Sequence, residues 1–213
     1  MSLTRTSLRA QIKEILLARI LKGEYKPGDR IVELQIAQEF GTSQAPVRES
    51  LRELEALGFV IAEPYRGTYV REITKATLAE VYPVRAALEE VAARAAAKYL
   101  AGNITALEEE FKAMQEAAAE GVLTEEVHHD VEFHRIIVEA SGNRILLDLW
   151  TALRIEARTM ISVLASTIDP MELAEMHRPI LEALAEGDGE KAGRIIRTHI
   201  EYFGDMILKN YQE

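Results

Sequence analysis

The sequence of 213 residues contains no cysteine. This absence excludes disulfide bonds, thiolate metal ligands and cysteine nucleophiles. No apolar run approaches the ~20 residues that a membrane-spanning helix needs. The first twenty residues carry charges among their apolar positions and show no cleavage-like site. We therefore expect a cytoplasmic protein that has no membrane partner.

The net charge of −10 is unevenly distributed along the chain. Residues 1–75 hold 12 Lys and Arg against 10 Asp and Glu, whereas the remainder holds 13 against 25. A mildly basic first part on an acidic remainder suits a protein whose first part alone contacts phosphate groups. The chain also lacks internal repeats and low-complexity linkers, and residues 72–77 form the expected domain boundary.

The first 75 residues show an alternation of helix, turn and hairpin signals. Apolar spacing predicts a helix over 8–22, and GEYKPGD predicts a turn. A short helix over 32–40 is separated by GTS from a second helix over 44–57. The runs FVIA and GTYVRE, joined by PYRG, predict a small hairpin. This order predicts a winged helix-turn-helix over residues 1–75.

Residues 76–213 show only helical signals. A capping box at Thr77–Glu80 predicts the start of a helix that ends near residue 101, and Pro83 is expected to kink it or delay its start. Five Gly, Asn or Pro signals then divide the rest into five more helices. The fold class is therefore mainly α, a winged helix-turn-helix followed by an all-helical antiparallel bundle.

The predicted helix over 44–57 separates apolar from polar side chains. Its apolar stripe consists of Val47, Leu51, Leu54 and Leu57. The candidate DNA-binding residues off that stripe are Ser43, Gln44, Arg48 and Arg52. A recognition helix needs this division, and Gly67 at the hairpin tip lets the wing backbone approach DNA. The alternative is a solvent-facing amphipathic helix.

The stretch HHDVEFH holds three of the five histidines within seven residues. On a helix, Asp130 and His134 lie about 40° apart and can share one ligand, whereas His129 lies about 140° from His134. His177 and His199 also lie on apolar helix faces. These four inward polar side chains, Asp130 included, predict a divalent metal site, because several buried polar groups need a partner. The alternative is a set of satisfied core histidines.

The segment PGDRIVELQIAQEFGTSQAPVRESLRELEALGFVIAEPYRGTYV resembles the winged-helix head of the GntR family of bacterial transcription regulators. The PVRES–LRxLExxGFV core and the RGTYV wing carry the resemblance. It implies that Ser43, Gln44 and Arg48 contact operator DNA, with Gly67 in the wing. The chain departs from the family where Gln44 replaces a frequent Arg and Leu34 replaces an Arg of some relatives.

The segments VRAALEEVAARAAA, DVEFHRIIVEASGN and MHRPILEALAEGDGEKAGRIIRTHI resemble the FadR-type C-terminal ligand-binding domain, called FCD, in its VanR-like six-helix branch. By position, the family's metal ligands fall on Asp130, His134, His177 and His199. Three imidazoles and one carboxylate make Zn²⁺ the first expectation, with Ni²⁺ and Mn²⁺ open.

The same resemblance implies a small carboxylic-acid effector that occupies the open positions of the metal. Arg85 matches a family arginine in that cavity, and its alternative is a solvated helix residue. Arg154 and Arg158 are weaker effector-binding candidates, and Asn143 is expected to be a helix cap.

These expectations describe a homodimeric, metabolite-responsive transcription regulator, most simply a repressor, that binds a double-stranded operator with an inverted repeat. An alternative keeps the regulator but makes the metal purely structural. A metal-dependent hydrolase is disfavoured because no HExxH motif and no placed general base is present. A di-iron bundle would need a second Glu-x-x-His pair beyond those ending at His128 and His129. We therefore expect no enzyme.

Overall fold

The computed structural model describes residues 7–164 and 168–210. The chain divides into two compact units, Met1–Ile73 and Thr74–Glu213. Within the described residues, every helix is too short or too polar to cross a membrane.

The first unit has the predicted winged helix-turn-helix order. Its elements are α1 (Leu8–Leu21), β1 (Arg30–Ile31), α2 (Glu33–Glu39), α3 (Gln44–Leu57), β2 (Val60–Glu63) and β3 (Gly67–Val70). Helix α1 packs on α3, so that Ile12 and Leu16 are buried together with Val47, Leu51 and Leu54. The predicted apolar stripe of α3 is therefore the surface that holds this unit together.

The strand β1 was not predicted. It pairs antiparallel with β3, with Arg30 opposite Tyr69, and the sheet order is β1-β3-β2. Two residues are too few for an alternating pattern to be visible in sequence. The strand exists because the edge of β3 offers hydrogen bonds to the chain that leaves the Pro27–Gly28 turn, as the Gly28 N–H donation to the Val70 carbonyl shows.

The second unit is helical throughout its described residues. Its helices are α4 (Lys75–Leu100), α5 (Thr105–Glu120), α6 (Leu123–Ala140), α7 (Arg144–Ala152), α8 (Ile155–Leu164), α9 (Pro170–Glu175), α10 (Arg178–Ala185) and α11 (Gly189–Asn210). The long helices α4 and α11 pack along each other, α5 packs on α6, and α6 also contacts α4 and α8. This all-helical bundle agrees with the predicted fold class.

The start of α4 differs from the prediction. The cap is Thr74, whose hydroxyl accepts a hydrogen bond from the Thr77 N–H, so the predicted capping box at Thr77 is wrong. Helix α4 also continues through Pro83 without a break. A proline in the third turn removes only one backbone donor, and the buried side chains on both sides of it hold the helix together.

Two of the six predicted segments are each broken into two helices. Between α7 and α8, Arg154 has a positive φ of 52° and ends the first helix without any glycine or proline to mark the position. Between α9 and α10 the backbone breaks at His177, the N-cap of α10, and Pro179 lies in the first turn of α10, where a missing N–H costs nothing. Asp169 and Asn143 are side-chain N-caps, as predicted for Asn143.

Candidate functional site

The four predicted metal ligands lie together inside the second unit. Asp130, His134, His177 and His199 each offer a nitrogen or oxygen atom, and these atoms all lie within 4.8 Å of one another. Helix α6 supplies the first two, the break before α10 supplies the third, and α11 supplies the fourth. The His134 and His177 side chains are buried, at 0% and 1% exposure.

The backbone break orients His177. Its Nδ1 lies 3.1 Å from the Leu173 carbonyl oxygen and 3.2 Å from that of Ala174, so Nδ1 carries the proton that is donated to them. Its Nε2 then carries a free lone pair, and this nitrogen lies 2.9 Å from Asp130 Oδ1. A carbonyl that fixes the tautomer in this way is a common partner of a metal-binding histidine.

A buried carboxylate orients His134. Its Nδ1 lies 2.5 Å from Glu89 Oε2, a close ion-pair contact whose angles fall outside those of a regular hydrogen bond. The Nε2 of His134 therefore also presents a lone pair, and it lies 3.2 Å from the Nε2 of His177. Two nitrogen lone pairs and the oxygen of Asp130 converge, an arrangement of acceptors that a cation would stabilise.

The local electrostatics favour metal-binding protonation states. Burial lowers the pKa of His134, and burial together with the neighbouring His177 and His134 lowers the pKa of His199 well below its usual value. Burial opposes ionisation of Asp130, but the neighbouring imidazoles of His177 and His134 and the charge of Arg85 outweigh burial and lower its pKa. Neutral imidazoles beside a charged carboxylate are the forms that bind a divalent ion.

Glu89 was not identified from sequence, although it is central to the site. It is fully buried, accepts hydrogen bonds from Arg85 Nε at 2.8 Å and from Trp150 Nε1 at 2.7 Å, and also contacts His134. Burial opposes its ionisation, but Arg85, His134 and Trp150 together lower its pKa to about 2. The sequence signal was the spacing of Arg85 and Glu89 by four, which usually marks a solvent-exposed helix pair.

The three arginines proposed for the effector lie in different surroundings. Arg85 is 2% exposed and lines the cavity beside the metal ligands, so the alternative of a solvated arginine is wrong. Arg154 is half-buried at the break between α7 and α8 and does not line the cavity. Arg158 is half-buried and also outside the lining, although its charge acts on Tyr82, whose pKa burial raises to about 12.

The cavity between these side chains is small, about 10 Å³, which suits one ion or one water-sized group. Its polar lining residues are Arg85, Glu126, Asp130, Thr159, His177 and His199. Glu126 was not identified from sequence: it is 2% exposed, and burial followed by the charge of Asp130 raises its pKa to about 8. The sequence feature that could have identified Glu126 is its position four residues before Asp130, which places both side chains on the same face of α6.

The other two histidines of HHDVEFH lie outside the cluster. His129 Nδ1 lies 2.7 Å from Glu110 Oε2, and the half-exposed His128 lies 3.8 Å from Glu156. The crowding of histidines in the sequence therefore corresponds to a single histidine at the site.

In the first unit, the candidate DNA-binding side chains of α3 are exposed. Ser43, the N-cap of α3, makes no side-chain cap hydrogen bond, and Gln44 is also exposed. Arg48 is 51% exposed, but its Nε and Nη2 donate three hydrogen bonds to the Glu33 carboxylate of α2, at 2.8, 3.1 and 3.3 Å. Arg52 is 67% exposed and pairs with Glu49. Both arginine side chains therefore lie on the exposed face of α3, each beside a glutamate.

The wing contains the predicted Gly67 and, next to it, two exposed residues that the sequence did not identify. Gly67 has a φ of 113°, a conformation that favours glycine, and a Cβ there would lie 3.0 Å from the Nε of the flexible Arg30 side chain. Tyr65 at the turn has a positive φ of 64° and is fully exposed, beside Arg66. The sequence feature that could have identified Tyr65 and Arg66 is their position in the link PYRG between the two strands of the hairpin.

Comparisons with known proteins identify both units. Residues 8–70 match the model of the bacterial regulatory proteins of the gntR family, and residues 80–202 match the FCD domain. A protein of Paenarthrobacter nicotinovorans named "Probable D-xylose utilization operon transcriptional repressor" is 38% identical over 198 residues, which cover 93% of this chain and 88% of that protein. The HTH-type transcriptional regulator LutR of Bacillus subtilis is 29% identical over 217 residues, with 91% and 98% covered.

Among solved structures, E. coli McbR/YncC superposes with a TM-score of 0.72 at 24% identity, over 95% of this chain and 98% of that one. At this identity the superposition shows a shared fold.

Proposed function

The chain belongs to the GntR family of bacterial transcription regulators and carries an FCD domain, and from this we propose that it is a homodimeric, metal-dependent repressor that a small organic acid controls. Its relatives and its families are transcription regulators, so the chain is a regulator and not an enzyme. A regulator of this family acts on the chromosome, which supports the cytoplasmic location.

In this proposal each of the two units has its own function. Residues 1–75 bind operator DNA, with Ser43, Gln44, Arg48 and Arg52 on α3 and Gly67 in the wing. Residues 76–213 bind the metal and the effector and form the dimer. The exposed polar end of α3 supports the first assignment, because short polar and arginine side chains there can contact base edges.

One observation carries the metal proposal: the Nε2 atoms of His134 and His177 and the Oδ1 of Asp130 converge, while the Nδ1 of His177 faces a backbone carbonyl and the Nδ1 of His134 faces the Glu89 carboxylate. With His199, these residues would hold a divalent ion, Zn²⁺ first and Ni²⁺ or Mn²⁺ otherwise. When bound, the ion would supply a positive charge with open positions for a carboxylate. The buried guanidinium of Arg85 would pair with the same carboxylate.

A regulator with a purely structural metal is the second candidate. The small volume of the cavity, about 10 Å³, favours it, since an organic acid needs more space than an ion. The two candidates differ in one property: only a sensor gains stability from an organic acid that binds through its metal.

The proposal predicts about one divalent ion per chain in purified protein. His134→Ala and His177→Ala should lose the ion, because each removes one of four protein ligands at the buried centre. Elemental analysis after dialysis measures this content, and thermal melts with and without a chelator measure the stability that the ion contributes.

The matched controls are His128→Ala and His129→Ala, which remove imidazoles from the same helix outside the cluster. Both should retain the full metal content. Full metal in His134→Ala, or loss of metal in His128→Ala, would show that the site has been assigned to the wrong face of α6.

A further inference from the structure

The two arginines of α3 that are proposed to contact DNA are held in different ways. Arg48 donates to Glu33 at the start of α2: its Nη2 lies 2.8 Å from Oε2, and its Nε lies 3.1 Å from Oε2 and 3.3 Å from Oε1. Arg52 donates from Nη1 to Glu49, at 2.9 Å, three residues earlier on the same helix. The Arg48 guanidinium is therefore fixed through two of its nitrogens by a second helix, whereas that of Arg52 is held through one nitrogen within α3.

The contact with Glu33 leaves the far edge of the Arg48 guanidinium for another partner. Nε and Nη2 face Glu33, whereas Nη1 takes no part in these hydrogen bonds. A guanidinium has five N–H donors in a rigid fork, so the edge formed by Nη1 and the second hydrogen of Nη2 still offers two parallel donors. The Arg48 side chain is 51% exposed and lies near the start of α3, where a recognition helix contacts base edges.

The charge of Glu33 decides which partner suits this edge. A phosphate group carries a full negative charge, and the Glu33 carboxylate beside the same guanidinium would repel it. The O6 and N7 atoms of guanine are two adjacent acceptors without net charge, and they match an arginine fork in the major groove. The pair of Glu33 and Arg48 therefore favours a guanine base over the DNA backbone.

Stability alone accounts poorly for this pair. Arg48 is 51% and Glu33 27% exposed, and ion pairs that are accessible to solvent contribute little to the free energy of unfolding. Glu33 also lies in the first turn of α2, where a negative charge stabilises a helix slightly. Neither effect depends on the base sequence of bound DNA, so base preference separates both from a role in recognition.

We propose that Glu33 is a positioning residue for sequence recognition: it orients Arg48 so that the free edge of the guanidinium contacts one guanine in each half-site of the operator. This inference rests on the proposed function, since it assumes that α3 binds the operator.

The test measures base preference with full-length protein. Repeated selection from a library of random DNA duplexes, followed by sequencing, gives the preferred sequence of the wild-type protein without a known operator. Binding titrations with duplexes that differ only at one guanine then measure the preference. We expect one guanine per half-site to be preferred about tenfold or more over the other bases, and Arg48→Ala should abolish this preference.

Glu33→Gln keeps the size of the side chain but removes the charge and one acceptor oxygen. It should reduce the preference for that guanine about threefold or more, because the guanidinium is no longer fixed and can also bind phosphate. For the same reason, affinity for the random duplexes should depend more strongly on salt. The slope of log K against log salt should become steeper by about 0.9, the value for one additional phosphate contact.

Two comparisons separate positioning from a general loss of charge or of folding. Glu49→Gln removes the same charge beside Arg52 and should leave the guanine preference unchanged. In the Arg48→Ala protein, adding Glu33→Gln should have no further effect on base preference, because Glu33 acts through Arg48.

An unchanged guanine preference in Glu33→Gln, or an equal loss of affinity for all sequences, would overturn the inference and leave the proposed function intact. So would a further change of base preference when Glu33→Gln is added to Arg48→Ala. A wild-type protein that enriches no sequence would contradict the proposed function as well, so the two failures are distinguishable.

Discussion

At the scale of single residues, Glu89 connects the guanidinium of Arg85 with the imidazole of His134 in the second unit. One of its oxygens accepts from Arg85 and Trp150, and the other lies against His134 Nδ1. A carboxylate in that position fixes the ring orientation and raises the basicity of the nitrogen that faces the cavity. Glu89 is therefore a positioning residue for the proposed metal centre.

Glu89→Gln should weaken metal affinity about 10–100-fold, because the amide keeps the size of the side chain but removes the charge that supports His134. Competition with a chromogenic chelator measures the affinity, and circular dichroism checks that the helices remain.

The control for this change is Glu90→Gln on the next position of α4. Glu90 forms ion pairs with Arg94 and Arg197 away from the cluster. The Glu90→Gln substitution should leave metal affinity unchanged. Equal affinities of the Glu89→Gln and Glu90→Gln proteins would remove Glu89 from the site.

At the scale of helices, the close packing of α4 and α11 positions His199. Glycines of α11 face α4: a Cβ at Gly204 would lie 2.9 Å from both Cβ and Cγ of Tyr82. The Tyr82 ring in turn packs edge-to-face on Phe203, at 5.6 Å between ring centroids. The helices can approach this closely only where α11 has no side chain.

Gly204→Ala should lower the free energy of unfolding by about 1–3 kcal/mol through overpacking against Tyr82. The better helix propensity of alanine, about 1 kcal/mol, offsets part of this loss. Denaturant unfolding midpoints measure the difference.

Asp205→Ala is the comparison variant, since Asp205 is the next residue of α11 and is exposed. It gains helix propensity without a new contact, so its stability should equal or exceed that of the parent. A Gly204→Ala protein as stable as Asp205→Ala would show that the two helices have room to separate.

The helix break at His177 shows how an irregular element can create a site. A continuous helix would commit the Leu173 carbonyl to the backbone N–H four residues later. Here the N–H of His177 donates to Ala174, so the Leu173 carbonyl is available to the imidazole Nδ1. Pro179 suits the start of a new helix, and the orientation of the imidazole follows from the interruption before it.

At the scale of the whole molecule, the proposed dimer makes a prediction about DNA. A two-fold dimer presents two equivalent winged helices, so the operator should be a short inverted repeat with half-sites related by the same symmetry. Footprinting on the promoter of a neighbouring gene defines the protected bases, and analytical ultracentrifugation measures the oligomeric state.

A DNA fragment with a single half-site is the matched control and should bind much more weakly than the full repeat at equal salt concentration. Full affinity for a single asymmetric half-site, with a monomer in solution, would contradict the dimer.

The amino-acid sequence by itself determined the fold class, the family and the identity of the four clustered side chains. These features depend on local patterns: apolar spacing defines the amphipathic helices, Gly, Asn and Pro define most of their ends, and i,i+4 spacing aligns Asp130 with His134. Polar residues on apolar helix faces identified His177 and His199, because a helix pattern indicates which side of the helix is buried.

The tertiary structure alone decided how those side chains are oriented and supported. Contacts between segments distant in sequence decide the role of Glu89, the strand β1 and the helix end at Arg154. They also decide that Oε2 of Glu126 and Oγ1 of Thr159 are buried without a hydrogen-bond partner among the described residues. A local pattern cannot distinguish an exposed Arg–Glu pair from one buried beneath another helix. Burial then decides the chemistry, since the same charged groups that are solvated on a surface become fixed hydrogen-bond partners inside a protein.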